Sequence, residues 1–219
     1  DRLRFIGIKY ISDGSTQGLT AALREPYTYP KGSSWSGALN FKDDEIYNSM
    51  KSYFDQGWQI STHSNGDKAI DQTLKSYTKL LANNPKPQDR RLRIEHFTVN
   101  HPEQVKQTVK LGVIPSFTIG HVDYWGSAFY NQIIGADRAK RIDPAGEIKR
   151  AGGKFNLHVC WLDVPGGTRA HREQIMQELI AIYDPSCNTN KFNNAWKDEW
   201  IGAYDTSVTD ALTTERTPD

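Results

Sequence analysis

The sequence predicts an α/β fold in which parallel strands are covered by helices. Three observations predict it. Short apolar runs alternate with amphipathic segments about five times, the links between them are mostly short, and consecutive apolar runs finish on Lys9, His63 and His96. Such alternation implies crossover connections and therefore parallel strands. Doubly wound sheets and closed (β/α)8 barrels both satisfy the pattern, and both gather functional residues at the carboxyl ends of the strands. No glycine-rich phosphate fingerprint follows the first strand, which disfavours a nucleotide-binding sheet.

The elements follow in order. Residues 4–11, "RFIGIKYI", read as a strand, and 12–41 as a turn-rich insertion containing "DGS", "EPY" and "YPKGSS". Residues 42–57 make an amphipathic helix with Ile46, Met50, Tyr53 and Phe54 on its apolar face and Gly57 closing it. "WQISTH" is a strand, and 66–84 a helix with Ile70, Leu74, Tyr77 and Leu81 along one side. "LRIEHF" is a strand, followed by a helix over 101–112 with proline in its first turn and glycine past its last. "VIPSFT" is a strand, 135–153 a broken helix, "KFNLHV" a further strand, and 171–183 a final helix.

Composition narrows the function. Lys and Arg total 27 against 26 Asp and Glu, and no basic patch alternates with stacking aromatics, so nucleic acid is excluded as a partner. No apolar stretch reaches the length of a membrane span, and the first residues lack the pattern of a signal peptide. A cytoplasmic setting is the default expectation. The two cysteines, Cys160 and Cys187, fall in no metal-finger spacing and read as free thiols.

Lys9, His63 and His96 end their strands one strand-plus-helix unit apart, with a loop-rich insertion after Lys9. Ligands spaced this way on one rim would converge on a single point. Taken singly, each has an ordinary reading. A histidine at a strand end is more often a packing residue than a ligand, Lys9 reads equally as a surface lysine, and Asp163 as the start of the turn in "DVPGG". His101 reads as a helix cap or surface residue and His171 as solvent-facing, while His121 and His158 stay ambiguous.

Ordered motifs now carry a resemblance. "GIKYISDGSTQGLTAAL", "STHSNGDKAID", "RLRIEHF", "LGVIPSFTIGHVDYWG", "GADRAKRIDPAGEIKRAG" and "FNLHVCWLDVP" together resemble amidohydrolase family 3, the YtcJ-like branch of the metal-dependent amidohydrolase superfamily. The resemblance covers roughly residues 2–165. It implies a (β/α)8 TIM barrel with only about strands four to eight in this chain, residues 1–165 as a partial barrel; residues 166–219, of which 166–210 do not resemble the family well, read as a C-terminal helical and loop segment. It also implies a metal-dependent hydrolase that cleaves an amide-type C–N bond of a small, non-peptide molecule. His63 and His96 would be ligands of one or two divalent ions, zinc by default, with Lys9 bridging as a carbamate.

Asp163 would act as general base, and Asp13, Tyr27, His121, Trp125 and His158 would wall the substrate pocket, with Tyr124 beside Trp125. Two departures matter. The family's His-x-His pair is absent from this chain, and "LHVCWLDVP" leaves either Cys160 or Asp163 at the aspartate's place. Five βα units cannot close an eight-stranded barrel, and open edges invite pairing. The expected partners are therefore a small-molecule substrate together with a missing N-terminal portion or a second copy. The rival reading is a truncated barrel that binds metal or a partner chain without turnover.

Overall fold

The structure, a computed structural model, describes residues 7–84 and 90–158. Five strands form one parallel sheet in chain order: β1 Gly7–Ile11, β2 Gln59–Ser64, β3 Arg93–His96, β4 Ile114–Thr118 and β5 Asn156–His158. Between them run α1 Asp43–Asp55, α2 Asp67–Ala82, α3 Pro102–Lys110, α4 Gly120–Ala128, a π-helical turn Phe129–Ile133, α5 Ala136–Ala139 and α6 Ala145–Arg150. No helix among the described residues is long and apolar enough to cross a membrane. The segment 171–183 and the boundary at 165 lie outside the described residues.

The helices form where the apolar spacing allows. Ile46, Met50 and Phe54 line the buried side of α1, and Ile70, Leu74, Tyr77 and Leu80 that of α2. They pack with Tyr10, Ile60, Ile94 and Phe117 of the sheet, and with Val105 and Ile148 of α3 and α6, as one core. Each large aliphatic side chain so buried contributes about 1.5–3 kcal/mol. Strand alternation sends the other set of side chains to the opposite face. That face carries Lys9, Ser61, His63, Arg93, Glu95, Ser116 and Thr118. Its charges are partly neutralised, since Arg93 pairs with Glu95 at 2.9 Å.

The insertion 12–41 is ordered, and it ties the sheet's C-terminal rim together. Ala22 offers its carbonyl to the first amides of α2, at 3.1 Å to Lys68 N and 3.4 Å to Ala69 N. This supplies the partner that Gly66, at the N-cap, has no side chain to provide. Only glycine fits there, because a Cβ at residue 66 would lie 2.0 Å from that same oxygen. A second, smaller core of Leu23, Tyr27, Val99, Phe129, Ile133 and Ile134 fixes the insertion to the π-helical turn.

Two features differ from the sequence expectation. Residues 120–133 are helical, although "GHVDYWGSAFYNQI" has no clean apolar stripe, because its buried residues come in irregular steps across a π-turn. The other concerns β3. Alternation would put His96 on the helix side, in step with Ile94, but positive φ angles of 76° at His96 and 52° at Phe97 break the step. His96 thereby joins the polar face while Phe97 enters the core, fully buried.

Candidate functional site

The rim brings Lys9, His63, His96 and His121 together. The imidazole rings of His63 and His96 meet edge to face with centroids 4.6 Å apart, and His121 follows at 5.8 Å from His96. His63 is fixed by its Nε2, which lies 2.9 Å from the Gly14 carbonyl, the same carbonyl to which Asn65 Nδ2 donates at 2.8 Å. The carbonyl requires a donor, so Nε2 carries the hydrogen and Nδ1 keeps the lone pair. His96 holds Thr118 Oγ1 at 3.0 Å through Nδ1. The uncommon backbone at His96, whose cost is of order 1–3 kcal/mol, is the kind of strain that clusters at functional sites.

Electrostatics keep both rings neutral. Burial pushes the His96 imidazole down to about 3, helped by the neighbouring His63, His121 and Lys9. Burial also lowers His63, with the Gly14 carbonyl opposing it. Lys9 itself is exposed on the polar face, and its charge reaches both rings.

Asp13 and Tyr27, expected as pocket walls, are buried, at 0 % and 2 % exposure, and Asp13 Oδ1 lies 3.6 Å from His63 Nε2, beside the site. Tyr27 donates its hydroxyl to the Ala21 carbonyl at 2.8 Å and packs in the smaller core. Asp13 is a strut. Its Oδ2 accepts from Gly66 N at 2.8 Å and Ala22 N at 2.9 Å, and its Oδ1 from Asn65 N at 3.0 Å. Burial pushes the Asp13 carboxyl up to about 7 against the pull of those three amides. Asp13→Ala is expected to lower stability by about 3–5 kcal/mol, since three buried donors would each lose an acceptor. Urea unfolding checks this, and Asp13→Asn, which keeps one oxygen, should cost about half as much.

Trp125 is 40 % exposed on α4 and stacks on Phe129 at 6.5 Å, and Tyr124 is 58 % exposed beside it. His121 is 7 % exposed. His158 closes β5 in register with Thr118. His101 caps α3, where its backbone N–H donates to Gln104 Oε1 at 2.9 Å, and its Nε2 lies 3.2 Å from Asp67. Asp163 and Cys160 lie outside the described residues.

Sequence reasoning missed Glu95, Asn65, Thr98 and Asp143. Asn65 stands two residues after His63 in "THSNGD", a spacing that strand alternation would have flagged had β2 been extended. Asp143, before Pro144, offered only a turn signal.

Two neutral imidazoles on one rim suit a borderline divalent cation, since a metal needs an unprotonated ring nitrogen. Among the described residues no group of three or more His, Cys, Asp or Glu side chains is placed to hold an ion. The pair therefore fits as part of a coordination shell that further donors would have to complete.

No curated protein is significantly similar to the chain in sequence. Among solved structures, an uncharacterised metal-dependent hydrolase from Pyrococcus furiosus is similar at 26 % identity and a TM-score of 0.61, covering 76 % of this chain and 32 % of its own. A second, from Pyrococcus horikoshii, is similar at 24 % identity and a TM-score of 0.58, covering 77 % and 32 %. The chain thus spans about a third of the length of these relatives. The sequence profile of the amidohydrolase family matches residues 1–159, taking in all five strands and the rim they build, and the chain belongs to that family.

Proposed function

We propose that the chain supplies strands four to eight of a (β/α)8 barrel whose metal-dependent site hydrolyses an amide-type C–N bond of a small, non-peptide molecule. The observation that carries this is the adjacency of His63 and His96 at consecutive strand ends, both neutral, with Lys9 close enough to perturb them. The metal-dependent hydrolase from Pyrococcus furiosus supports the class. His63 and His96 would hold the ion, zinc by default in a site of this donor type, and Lys9 would complete the set as a carbamate. Such an ion polarises a scissile carbonyl and lowers the pKa of water towards neutrality.

The chain's own residues do the rest. Gly14 and Thr118 fix the two rings, and the exposed amine of Lys9 is open to carboxylation. Trp125 offers an apolar wall. Asp163 takes the attacking water's proton and returns it to the leaving nitrogen.

A second reading rests on the sheet. Among the described residues β1 and β5 each pair on one side only, so a further chain portion or a second copy would complete it. In that reading the chain binds metal or a partner without turnover. Loading the chain with zinc and assaying amine release from a panel of small N-acyl amides separates the two. Bound zinc with release that chelation abolishes is the expected result; bound zinc without release supports the second reading, and no zinc at all sinks the first.

A further inference from the structure

The rim holds a second buried polar group that the metal reading leaves unused. Asp143 has φ 45° and a side chain only 1 % exposed, and neither carboxylate oxygen has a hydrogen-bond partner. The nearest charge partner is His121, whose Nδ1 lies 3.7 Å from Asp143 Oδ2 and 3.0 Å from Thr98 Oγ1. Thr98 has one hydroxyl hydrogen, and it goes to Asn65 Oδ1 at 2.8 Å. Asn65 in turn donates from its amide nitrogen to the Gly14 carbonyl at 2.8 Å, the carbonyl that also holds His63. Thr98 Oγ1 is thus left to accept from the His121 ring, and the carboxylate demands a hydrogen at the same edge. Nδ1 of His121 carries that hydrogen. A neutral imidazole so arranged keeps its lone pair on Nε2, at the edge away from Asp143. The ring stands 5.8 Å from that of His96.

We propose that Asp143 is a positioning residue that, through His121, presents the Nε2 lone pair as a hydrogen-bond acceptor beside His96, so that the site prefers ligands carrying an N–H or O–H donor. The inference rests on the amide reading above and narrows it: primary and secondary amides are favoured over tertiary ones. A tertiary amide has no hydrogen on nitrogen and would leave a largely buried acceptor unpaired, which costs roughly tenfold or more in affinity.

The test uses the full chain labelled with 15N-histidine. Long-range 1H–15N spectra report which ring nitrogen of His121 is protonated, and titrations with acetamide and N,N-dimethylacetamide report what Nε2 meets. The expected result is a hydrogen on Nδ1 and an Nε2 response to acetamide at roughly tenfold lower concentration than to its dimethyl analogue. Asp143→Leu, which leaves Thr98 Oγ1 as the one acceptor facing Nδ1, should admit more of the other tautomer and weaken the preference, whereas Asp143→Asn, which retains an acceptor oxygen, should keep both. Zinc content should be the same in all three proteins, because neither Asp143 nor His121 is asked to bind it. A hydrogen on Nε2 in the unsubstituted protein, or equal responses to the two amides, overturns the inference. Should Asp143→Leu fail to fold, those two measurements decide it. A chain that shows this tautomer and preference yet binds no zinc sinks the metal reading alone; a chain that binds zinc without them sinks this inference alone.

Discussion

His63→Ala and His96→Ala are each expected to strip zinc from the purified protein, weakening its binding by more than about 100-fold. The magnitude follows by comparison. Loss of a residue that merely orients a ligand typically costs roughly 10–100-fold in metal affinity, so loss of the ligand itself should exceed that. The two rings are in edge contact at 4.6 Å but are held at different strand ends, His63 by Gly14 and His96 by Thr118, so neither takes the other's place. Elemental analysis after dialysis checks the result. Thr118→Val, which removes the hydroxyl held by His96 at 3.0 Å, should lower affinity within the smaller range and leave the fold intact. Stoichiometric zinc surviving both histidine substitutions would place the ion elsewhere.

Asp163→Asn is expected to lower turnover by about 10²–10⁴-fold, the contribution of a general base, while leaving zinc content unchanged. A base for the attacking water must exchange a proton without becoming a ligand, and a carboxylate at the rim meets that demand. Cys160 competes for the place in the alignment, directly after "FNLHV". A thiolate there would bind the ion and fill the position a substrate needs. Cys160→Ser should therefore be mild. Steady-state kinetics on whichever amide the first assay identifies, paired with metal analysis, separates the candidates. Loss of activity in Cys160→Ser with retention in Asp163→Asn would reverse the assignment.

Much of the fold was legible because periodicity and punctuation agreed. The α1 helix over 43–55 sits inside the expected 42–57, and α2 over 67–82 inside 66–84, since their apolar residues repeat at helical spacing, Gly57 follows the first and Gly66 precedes the second. The strand ends carrying Lys9 and His63 were equally readable from alternation. What was not readable is whatever depends on contacts between distant segments. The burial of Tyr27 and Asp13 could not be read from their loop, because it arises when the insertion folds back on α2 and covers both. The turn of His96 onto the polar face rests on two consecutive positive φ angles; histidine adopts that backbone more readily than most residues, but phenylalanine gives no sign of it. The Thr98–Asn65 bond joins residues 33 positions apart, beyond the reach of any local pattern.

The division of the sheet into an apolar face packed by helices and a polar face bearing His63 and His96 has a consequence for how this protein changes over generations. Ile60, Ile94 and Phe117 are answerable to the helices, and replacing any of them opens a cavity that the whole chain feels. Ser61, Ser116 and Thr118 stand on the same strands, one residue away, and answer to the polar side, where Ser116 meets Arg93 and Thr118 meets His96. Changes there bear on the polar contacts rather than on the core that the helices cover. Selection can therefore alter one side of a single backbone while the other side is kept unaltered, so the polar side can change its chemistry without the core being rebuilt.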